Sequence, residues 1–465
     1  MIRIFKQEYP LKNILLILSE SISICASIYI SHRLFFNFYS ENMDIMFLVK
    51  IFSITVICQL CLYYNELYMM QKMYSINDLG IRIFQSLGFS AIFLSILYII
   101  FPNLVIETKI FAISVLLIIV FITSWRFFYT IVSKYRMFKQ NIVILGSNQL
   151  TLEILDMINR KRDYGYNIAM IIPENPNDVC NIASKYPDIS IRHHLEKFDE
   201  SIKDLEIKKI IISFKEKRKN FPVRELLNCR VKGIDIIDGN SFYESICGKI
   251  LVENITPGWL IFSEGFNRSS ARYIIKRISD IIISSLMLIL LSPLICIISL
   301  VIKMDSRGPV LYRQERNGEG KLPFKINKFR SMIDGAEKAC GPMWAVENDC
   351  RVTRAGKYLR KFRLDEIPQL WNVLKGEMSF VGPRPERECF INELEKIIPY
   401  YSERFIVKPG ITGWAQVSYR YGASTEDAIE KLNYDLFYIK NMTFFMDLMI
   451  IFRTVKTVLF GETGR

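Results

Sequence analysis

Four apolar stretches, near Ile14 to Ile30, Ile45 to Tyr63, Ile83 to Phe101 and Ile110 to Tyr129, constrain this chain more than any other feature. Each runs to about 17–20 residues, enough for a helix rising 1.5 Å per residue to cross a hydrocarbon layer of roughly 30 Å. The first opens at Lys12 and carries Glu20, so it reads as a true span and not as a cleaved signal peptide. Orientation follows from the basic flanks. Arg3, Lys6 and Lys12 precede the first span, Lys72 and Arg82 lie between the second and third, and Arg126, Lys134, Arg136 and Lys139 sit at the tail of the fourth. The other two connections offer only Arg33 and Lys109. The basic sides face the cytosol, which puts both ends of the four-span unit inside. Glu20 within a span either serves a function or snorkels or pairs inside the bundle, and the sequence assigns it no role.

Four spans leave most of the 465 residues for other domains, about three in all at typical domain sizes. The formal charge of +13 calls for an acidic partner. Anionic lipid already satisfies that demand, so no nucleic-acid partner is expected. The ten cysteines are scattered without the spacing of a disulfide framework, and Cys58 and Cys61 form a CxxC inside an apolar run with no charge or histidine nearby. Coincidence explains them better than redox or metal chemistry, and the soluble parts read as cytosolic and reduced. Histidine occurs only as His32, His193 and His194, the last two in a polar, surface-like stretch. Ser-His-Asp hydrolysis, a histidine base and histidine-bound zinc are thereby excluded from the C-terminal 200 or so residues. Carboxylates, lysines, arginines and a hard metal are what remain for chemistry there.

From about Asn141 the texture changes. Ile142 to Gly146 reads as a buried strand and turn, and Thr151 to Arg160 as a helix. Ile168 to Ile172, Lys209 to Ser213 and Ile234 to Ile237 alternate with helical patterns such as Val223 to Cys229, which predicts a small α/β unit with a parallel sheet. The first loop, Gly146-Ser147-Asn148-Gln149-Leu150, has one glycine where a dinucleotide fingerprint has three. A structural or regulatory domain is favoured over a cofactor domain.

Arg268, Arg272, Lys276 and Arg277 then lead into an apolar run from Ile281 to Ile302, with Ser292-Pro293 at its middle and Lys303, Arg307, Arg313 and Arg316 beyond it. A crossing would carry a basic domain outward, against the charge bias. Pro293 removes a helix hydrogen bond, and Ser292 is available to satisfy a freed backbone group. A re-entrant hairpin on the cytosolic face meets both constraints; the alternative is a fifth, proline-kinked span.

The remainder concentrates the chemistry. In RVTRAGKYLRKFRLDEIPQLWNVLKGEMSFVGPRP, Arg351 to Pro385, an Asp365-Glu366 pair follows a run whose only charges are Arg351, Arg354, Lys357, Arg360, Lys361 and Arg363. Ile367, Leu370, Trp371 and Leu374 have helical spacing, with Pro368 in the first turn and Asp365 at a capping position, so the pair is expected at a helix N-terminus. Alone, such a pair is most often a cap. Arg384 between Pro383 and Pro385 adds a rigid fork for phosphate oxygens, and Lys328 and Arg330 share one face of a strand-like segment. Trp344, Trp371 and Trp414 are available for interfacial or structural packing.

Gly320-Lys321-Leu-Pro-Phe-Lys325-Ile-Asn-Lys328-Phe-Arg330-Ser-Met332, the Arg351 to Pro385 run and Lys408-Pro-Gly-Ile-Thr-Gly-Trp-Ala-Gln-Val417 closely resemble, in this order, the bacterial sugar transferases. These are monotopic polyprenyl-phosphate phosphoglycosyl transferases that begin exopolysaccharide, capsule or O-antigen assembly. The resemblance covers about residues 268 to 465, and the front half looks like the long-form members, with four spans and a Rossmann-like domain. It implies four transmembrane helices in 1–138, a Rossmann-like α/β domain in 139–262, a linker and re-entrant helix in 263–303, and a mostly α cytosolic catalytic domain in 304–465. It also implies a two-step reaction at the bacterial inner membrane. A UDP-sugar gives its hexose-1-phosphate to Asp365, releasing UMP, and undecaprenyl phosphate takes it up as undecaprenyl-diphospho-sugar. Glu366 becomes a Mg²⁺ ligand, Arg384 and Arg360 bind phosphate, with Lys328 and its strand neighbour Arg330 as further phosphate or substrate contacts, and Ser292-Pro293 matches the helix break. After Val417 the chain has Ser-Tyr-Arg-Tyr-Gly where Asn-Gly-Arg is commoner. Self-association is compatible with all of this.

Two other readings compete. A membrane-anchored nucleotide-sugar dehydratase or epimerase would need a glycine-rich loop opening a large cofactor domain, and a non-catalytic scaffold would have no use for intact motifs.

Overall fold

The computed structural model describes residues 2–4, 7–9, 11–35, 45–68, 76–133, 140–160, 165–174, 179–187, 189–192, 205–214, 221–255, 257–263, 265–266, 270–336, 349, 351–419, 422 and 424–460. His193, His194 and Trp344 lie outside them. The chain forms two compact units, one of Met1–Ile4 and Glu8–Phe242, the other of Phe5–Gln7 and Tyr243–Arg465.

Short strands β1 (Ile2–Ile4) and β2 (Gln7–Tyr9) precede the helices of the first unit, α1 (Leu11–Phe35), α2 (Ile45–Tyr64), α3 (Ile76–Ile100) and α4 (Thr108–Ser133). All four helices are long and apolar enough to cross a membrane. Ile24, Ile28, Leu62, Ile83 and Ile122 are fully enclosed among them. Ser27, Ser31, Ser86 and Ser90 each donate to the carbonyl four residues back, which hides their hydroxyls from an apolar setting. Glu20 is paired: Arg126 Nε lies 2.7 Å from its Oε1 and Arg126 Nη2 donates to Oε2 at 3.0 Å. A third guanidinium nitrogen of Arg126 donates to the Leu67 carbonyl. Both charges are thus satisfied inside the bundle, which is how a buried ion pair is tolerated. Cys58 and Cys61 are buried free thiols on α2.

Strands β3 (Gln140–Leu145), β4 (Tyr166–Ile172), β5 (Ile207–Ile212) and β6 (Asp235–Asp238) make one sheet in the order β4-β3-β5-β6, all parallel. Helices α5 (Gln149–Arg160), α6 (Val179–Lys185) and α7 (Val223–Val231) fall between them. Val143 pairs with Met170 on one side and Ile210 on the other, and all three are buried, as a parallel strand covered on both faces requires. The first loop is filled by the protein itself. Asn148 Oδ1 accepts from the Thr151 amide and from Ser213 Oγ, so the Thr151 amide in the first turn of α5 already has an acceptor. A Cβ on Gly146 would lie 2.5 Å from the Ser213 carbonyl oxygen.

Helix α8 (Gly239–Cys247) leads into the second unit, where Ile250, Val252 and Ile255 join its core with Phe437, Tyr438 and Ile439. After α9 (Pro257–Phe262) comes α10 (Ser270–Asp305), a 36-residue helix with Pro293 inside. It is also long and apolar enough to span. Pro293 cannot donate to the Ile289 carbonyl four residues back, and Ser292 Oγ donates there instead at 2.8 Å. Both ends of α10 are fastened to the same unit. Asp280 accepts from Ser379 Oγ and the Phe380 amide, while Asp305 accepts from the Ala355 amide.

The rest of the unit is mixed α/β, with more strand than the mostly helical domain the resemblance implies. Strands β7 (Leu311–Asn317) and β8 (Pro323–Phe329) form an antiparallel hairpin, and β9 (Ser379–Val381) and β10 (Gly410–Thr412) a parallel pair. Helices α11 (Arg354–Lys361), α12 (Gln369–Lys375), α13 (Glu388–Ile397), α14 (Trp414–Ser418), α15 (Thr425–Asn441) and α16 (Phe444–Phe460) complete it. Trp414 is buried, stacks near Phe437 and donates to the Gly248 carbonyl, so it packs the core; Trp371 is 54% exposed.

Candidate active site

Asp365 and Glu366 sit on one tight turn. Arg363 adopts a left-handed backbone (φ 53°) that stops α11, and Leu364–Glu366 form a single 3₁₀ turn. Pro368 is the N-cap residue of α12 and makes no side-chain capping bond. The acids therefore precede the helix, and Asp365 is not its cap as the spacing predicts. Proline with its φ fixed near −62° starts the helix without a donor to waste, which moves the boundary three residues on.

Cations converge on Glu366, which is 8% exposed. Arg384 Nη2 donates to its Oε1 at 2.7 Å, Lys328 Nζ reaches the same oxygen at 3.4 Å, and Arg363 Nη1 lies 3.9 Å from Oε2. Burial alone would raise its carboxyl, but Arg384 and Lys328, then Arg363, hold it well below the usual carboxylate range. Asp365 beside it behaves in the opposite way. Burial first, and then the Glu366 charge, push it up to about 6 against the pull of Lys328, Arg384 and Arg360. Burial also lowers Lys328, a loss that Glu366 partly offsets.

Each cation is held by a specific local device. Lys328 stands opposite Tyr312 in the β7–β8 hairpin. Asn372 ties that hairpin to α12: its Oδ1 accepts from the Asn327 amide and its Nδ2 donates to the Lys325 carbonyl. Arg360 comes from α11, which Thr353 caps at the Gly356 amide. Gly356 lies so close to Ser331 that an added Cβ would sit 1.9 Å from its carbonyl oxygen. Arg384 follows β9, and its loop is pinned from two sides. Asn317 N donates to the Glu386 carbonyl, Arg316 Nη1 to that of Pro385, and Arg404 Nη2 to that of Arg384 itself at 3.0 Å. Arg404 is in turn held by Asp435 at 3.0 Å and by the Tyr401 hydroxyl.

Of the residues the sequence singles out, Lys328 and Arg384 meet Glu366 directly, Asp365 precedes it on the same turn, and Lys328, Arg384 and Arg360 act on Asp365 through their charges. Arg330 does not join them. Its Nη2 donates to the Ser306 carbonyl and hydroxyl at 2.7 and 2.8 Å, so it secures the chain after α10. Alternation along a strand predicts a shared face, but β8 ends at Phe329, and Arg330 just beyond it meets a different neighbour. Ser292 and Pro293 lie within α10 and apart from this cluster in their contacts. Arg363 is a site cation the basic run contained without distinguishing. Asn372, Arg404 and Asp435 carried no local signal, because each is defined by a partner from a distant part of the chain.

Among the described residues no group of three or more His, Cys, Asp or Glu side chains converges as a metal cluster. The donors present suit Mg²⁺ nonetheless. That ion prefers one or two carboxylates supplemented by ligand phosphates, and although burial does most to raise Asp365, the Glu366 charge that adds to it is what a divalent cation relieves.

Residues 271–461 match the model of the family described as bacterial sugar transferase. The chain is 32% identical to a UDP-glucose:undecaprenyl-phosphate glucose-1-phosphate transferase of Xanthomonas campestris pv. campestris, over 70% of this chain and 68% of that protein. It is 40% identical to a UDP-N-acetylgalactosamine-undecaprenyl-phosphate N-acetylgalactosaminephosphotransferase of Aeromonas hydrophila, over 52% of this chain and 56% of that one. A Klebsiella pneumoniae UDP-glucose:undecaprenyl-phosphate glucose-1-phosphate transferase is 46% identical over 39% of each chain. The matches thus span less than two thirds of the Aeromonas and Klebsiella proteins.

Proposed function

The chain belongs to the bacterial sugar transferase family, and from that premise we propose that it transfers a sugar-1-phosphate from a UDP-sugar to undecaprenyl phosphate, with Asp365 as nucleophile. The observation that carries this reading is the asymmetry of the dyad. Glu366 is paired with cations, whereas Asp365, half-buried beside it, has its carboxyl pushed up to about 6. A carboxylate so placed is poorly stabilised by its surroundings and still ionised near neutral pH, as a nucleophile should be.

In the first step an Asp365 oxygen attacks the phosphorus that bears the sugar. An O–P bond forms, the bond to the bridging diphosphate oxygen breaks, and the electron pair leaves with UMP. In the second step an oxygen of undecaprenyl phosphate attacks the same phosphorus, Asp365 leaves as carboxylate, and undecaprenyl-diphospho-sugar is released. Arg384 and Lys328, already gathered at Glu366, are placed to neutralise phosphoryl oxygens, and Arg360 to steady the Asp365 charge. Glu366, with oxygens of the diphosphate, would hold Mg²⁺, which supplies further charge neutralisation when bound.

A cytosolic, re-entrant α10 is favoured by its two anchored ends. Asp280 and Asp305 are bonded to one compact unit, and a crossing helix would have to deliver them to opposite sides of a bilayer. The four-stranded parallel domain is best read as structural or regulatory, since its Gly146 loop is occupied by Asn148.

Membranes containing the protein should release UMP from a UDP-sugar with Mg²⁺ and polyprenyl phosphate, and give one burst turnover without the acceptor. Asp365→Asn should abolish both. Wild-type-like turnover in that variant removes Asp365 as the nucleophile. A panel of UDP-hexoses and UDP-N-acetylhexosamines in the same assay identifies the sugar.

A further inference from the structure

The first turns of α10, Arg272 to Asp280, line an open groove with Phe266, Ile406, Val407, Lys408, Ile439 and Met442. Asp365, Glu366, Lys328 and Arg384 are not among its lining residues. Its walls are largely apolar, and its charged lining is four cations, Arg272, Lys276, Arg277 and Lys408, with two acids, Asp280 and Glu319; two of the three inner cations are already engaged. Lys276 binds Asp447 at 2.8 Å and the Val381 carbonyl at 2.9 Å. Arg277 donates to the Val373 and Leu374 carbonyls at the end of α12.

Lys408 is different. Its ammonium lies 5.5 Å from the centre of the Tyr273 ring, and among the described residues it has no hydrogen bond or ion pair. It also stands close to a like charge. Gly376, left-handed at the end of α12, leaves a gap in which a Cβ would lie 3.3 Å from Arg277 Nη2 and 3.5 Å from Lys408 Nζ. Two cationic nitrogens converging on one point repel each other unless an anion sits between them. Burial, and then Arg277, accordingly lower the Lys408 pKa. Glu319, the acid on the rim, accepts from the Tyr273 hydroxyl at 3.3 Å.

An anion that reaches this point must bring a hydrocarbon chain to match the walls. On the face of α10 turned away from Tyr273, Lys276, Arg277 and Asp280, Ile274, Ile275, Ile278 and Ile282 are each more than half exposed. Exposed apolar area of this extent beside a cationic pocket suits the boundary between headgroups and acyl chains.

We propose that this groove is a lipid-phosphate site, in which a phosphate ester sits against Arg277 and Lys408 and the start of its hydrocarbon chain runs along Phe266, Ile406, Val407, Ile439 and Met442. The phosphate comes either from a polyprenyl phosphate or from an anionic phospholipid. Its occupancy depends on α10 lying at a membrane and not on the roles of Asp365 and Glu366. Lipid held there would fasten α10 to Lys408, whose neighbours Pro409 and Gly410 accept from Ser379 N and pair with Ser379 in the β9–β10 ladder that leads to Arg384.

Native mass spectrometry of the full-length protein in detergent tests this, titrating phosphatidylglycerol, a polyprenyl phosphate or phosphatidylcholine. Lys408→Gln should weaken the first bound anionic lipid by about tenfold, the loss of one charge-assisted hydrogen bond. Lys408→Arg should restore it, and Met442→Trp, which fills the groove without touching the charge, should also lose it. The same pattern is expected in Asp365→Asn, so failure of the catalytic assignment leaves this result standing. An effect on polyprenyl phosphate alone identifies the acceptor as occupant; an effect on both anionic lipids identifies membrane phospholipid. Unchanged binding in Lys408→Gln, or equal occupancy by phosphatidylcholine, overturns the proposal.

Discussion

Arg404 donates to the backbone carbonyl of Arg384 at 3.0 Å, while the Arg384 guanidinium reaches Glu366 Oε1 at 2.7 Å. The aim of the site arginine is thus set by a second, buried arginine that is held by Asp435 on α15. Arg404→Met should lower UMP release at least tenfold by freeing the loop, an order of magnitude typical of misplaced catalytic groups. It should also leave Asp435 buried without its counter-charge, a loss of about 3–5 kcal/mol. The double variant Arg404→Met/Asp435→Leu should regain stability in thermal melts without regaining rate. Recovery of both would show that Arg404 matters for folding alone.

Arg384→Lys keeps the charge but loses the planar fork. Turnover should drop by roughly 100-fold, the usual scale for one preorganised charge-stabilising donor, with a smaller change in KM for the UDP-sugar. Steady-state UMP release measures both quantities.

Protonation of Asp365 should switch the first step off. With its carboxyl pushed up to about 6, the acid is ionised above that pH and neutral below it, so burst turnover should fall as pH drops through about 6. Glu366→Gln removes a neighbouring negative charge and frees Arg384 and Lys328 to act on Asp365. In that weakened variant the acid limb should move to lower pH; a limb that stays in place argues that another group titrates.

The raised carboxyl also carries a stability cost. A folded-state pKa above the unfolded one stabilises the fold at low pH, and that contribution is lost as pH rises through about 6. At neutral pH the ionised Asp365 therefore works against the fold, by at most about 3 kcal/mol for a shift of roughly two units. Asp365→Asn should melt at a higher temperature than wild type at pH 7.5, and the difference should shrink by pH 5.

Pro293→Ala restores the hydrogen bond to Ile289 that Ser292 now supplies. If the break keeps α10 on one side, a cysteine placed at Arg307 is labelled only from the cytosol in the parent, and the alanine variant should gain labelling from the other side. Outside labelling in the parent itself would establish a crossing helix.

The apolar helices were legible because length and hydropathy are properties of consecutive residues. The expected span at Ile45 to Tyr63 corresponds to α2 almost residue for residue, that at Ile110 to Tyr129 falls inside α4, and the strand and turn read at Ile142 to Gly146 overlap β3. The strand-borne Lys328, the dyad and the proline-bound Arg384 were visible for a related reason. Each sits in a short motif whose residue types already suggest phosphate chemistry.

Sequence by itself determined the membrane-embedded front, the parallel α/β unit and the four residues that meet at the dyad, since these depend on local pattern and composition. Only the tertiary structure decided which acid the cations neutralise, that Arg330 serves Ser306 and not the site, that Glu20 is answered by Arg126, and that Arg404 and Asp435 set the aim of Arg384. Those outcomes depend on distances between segments up to about a hundred residues apart. A charge acquires its role from what lies within a few ångströms of it after burial, and no one-dimensional pattern records that.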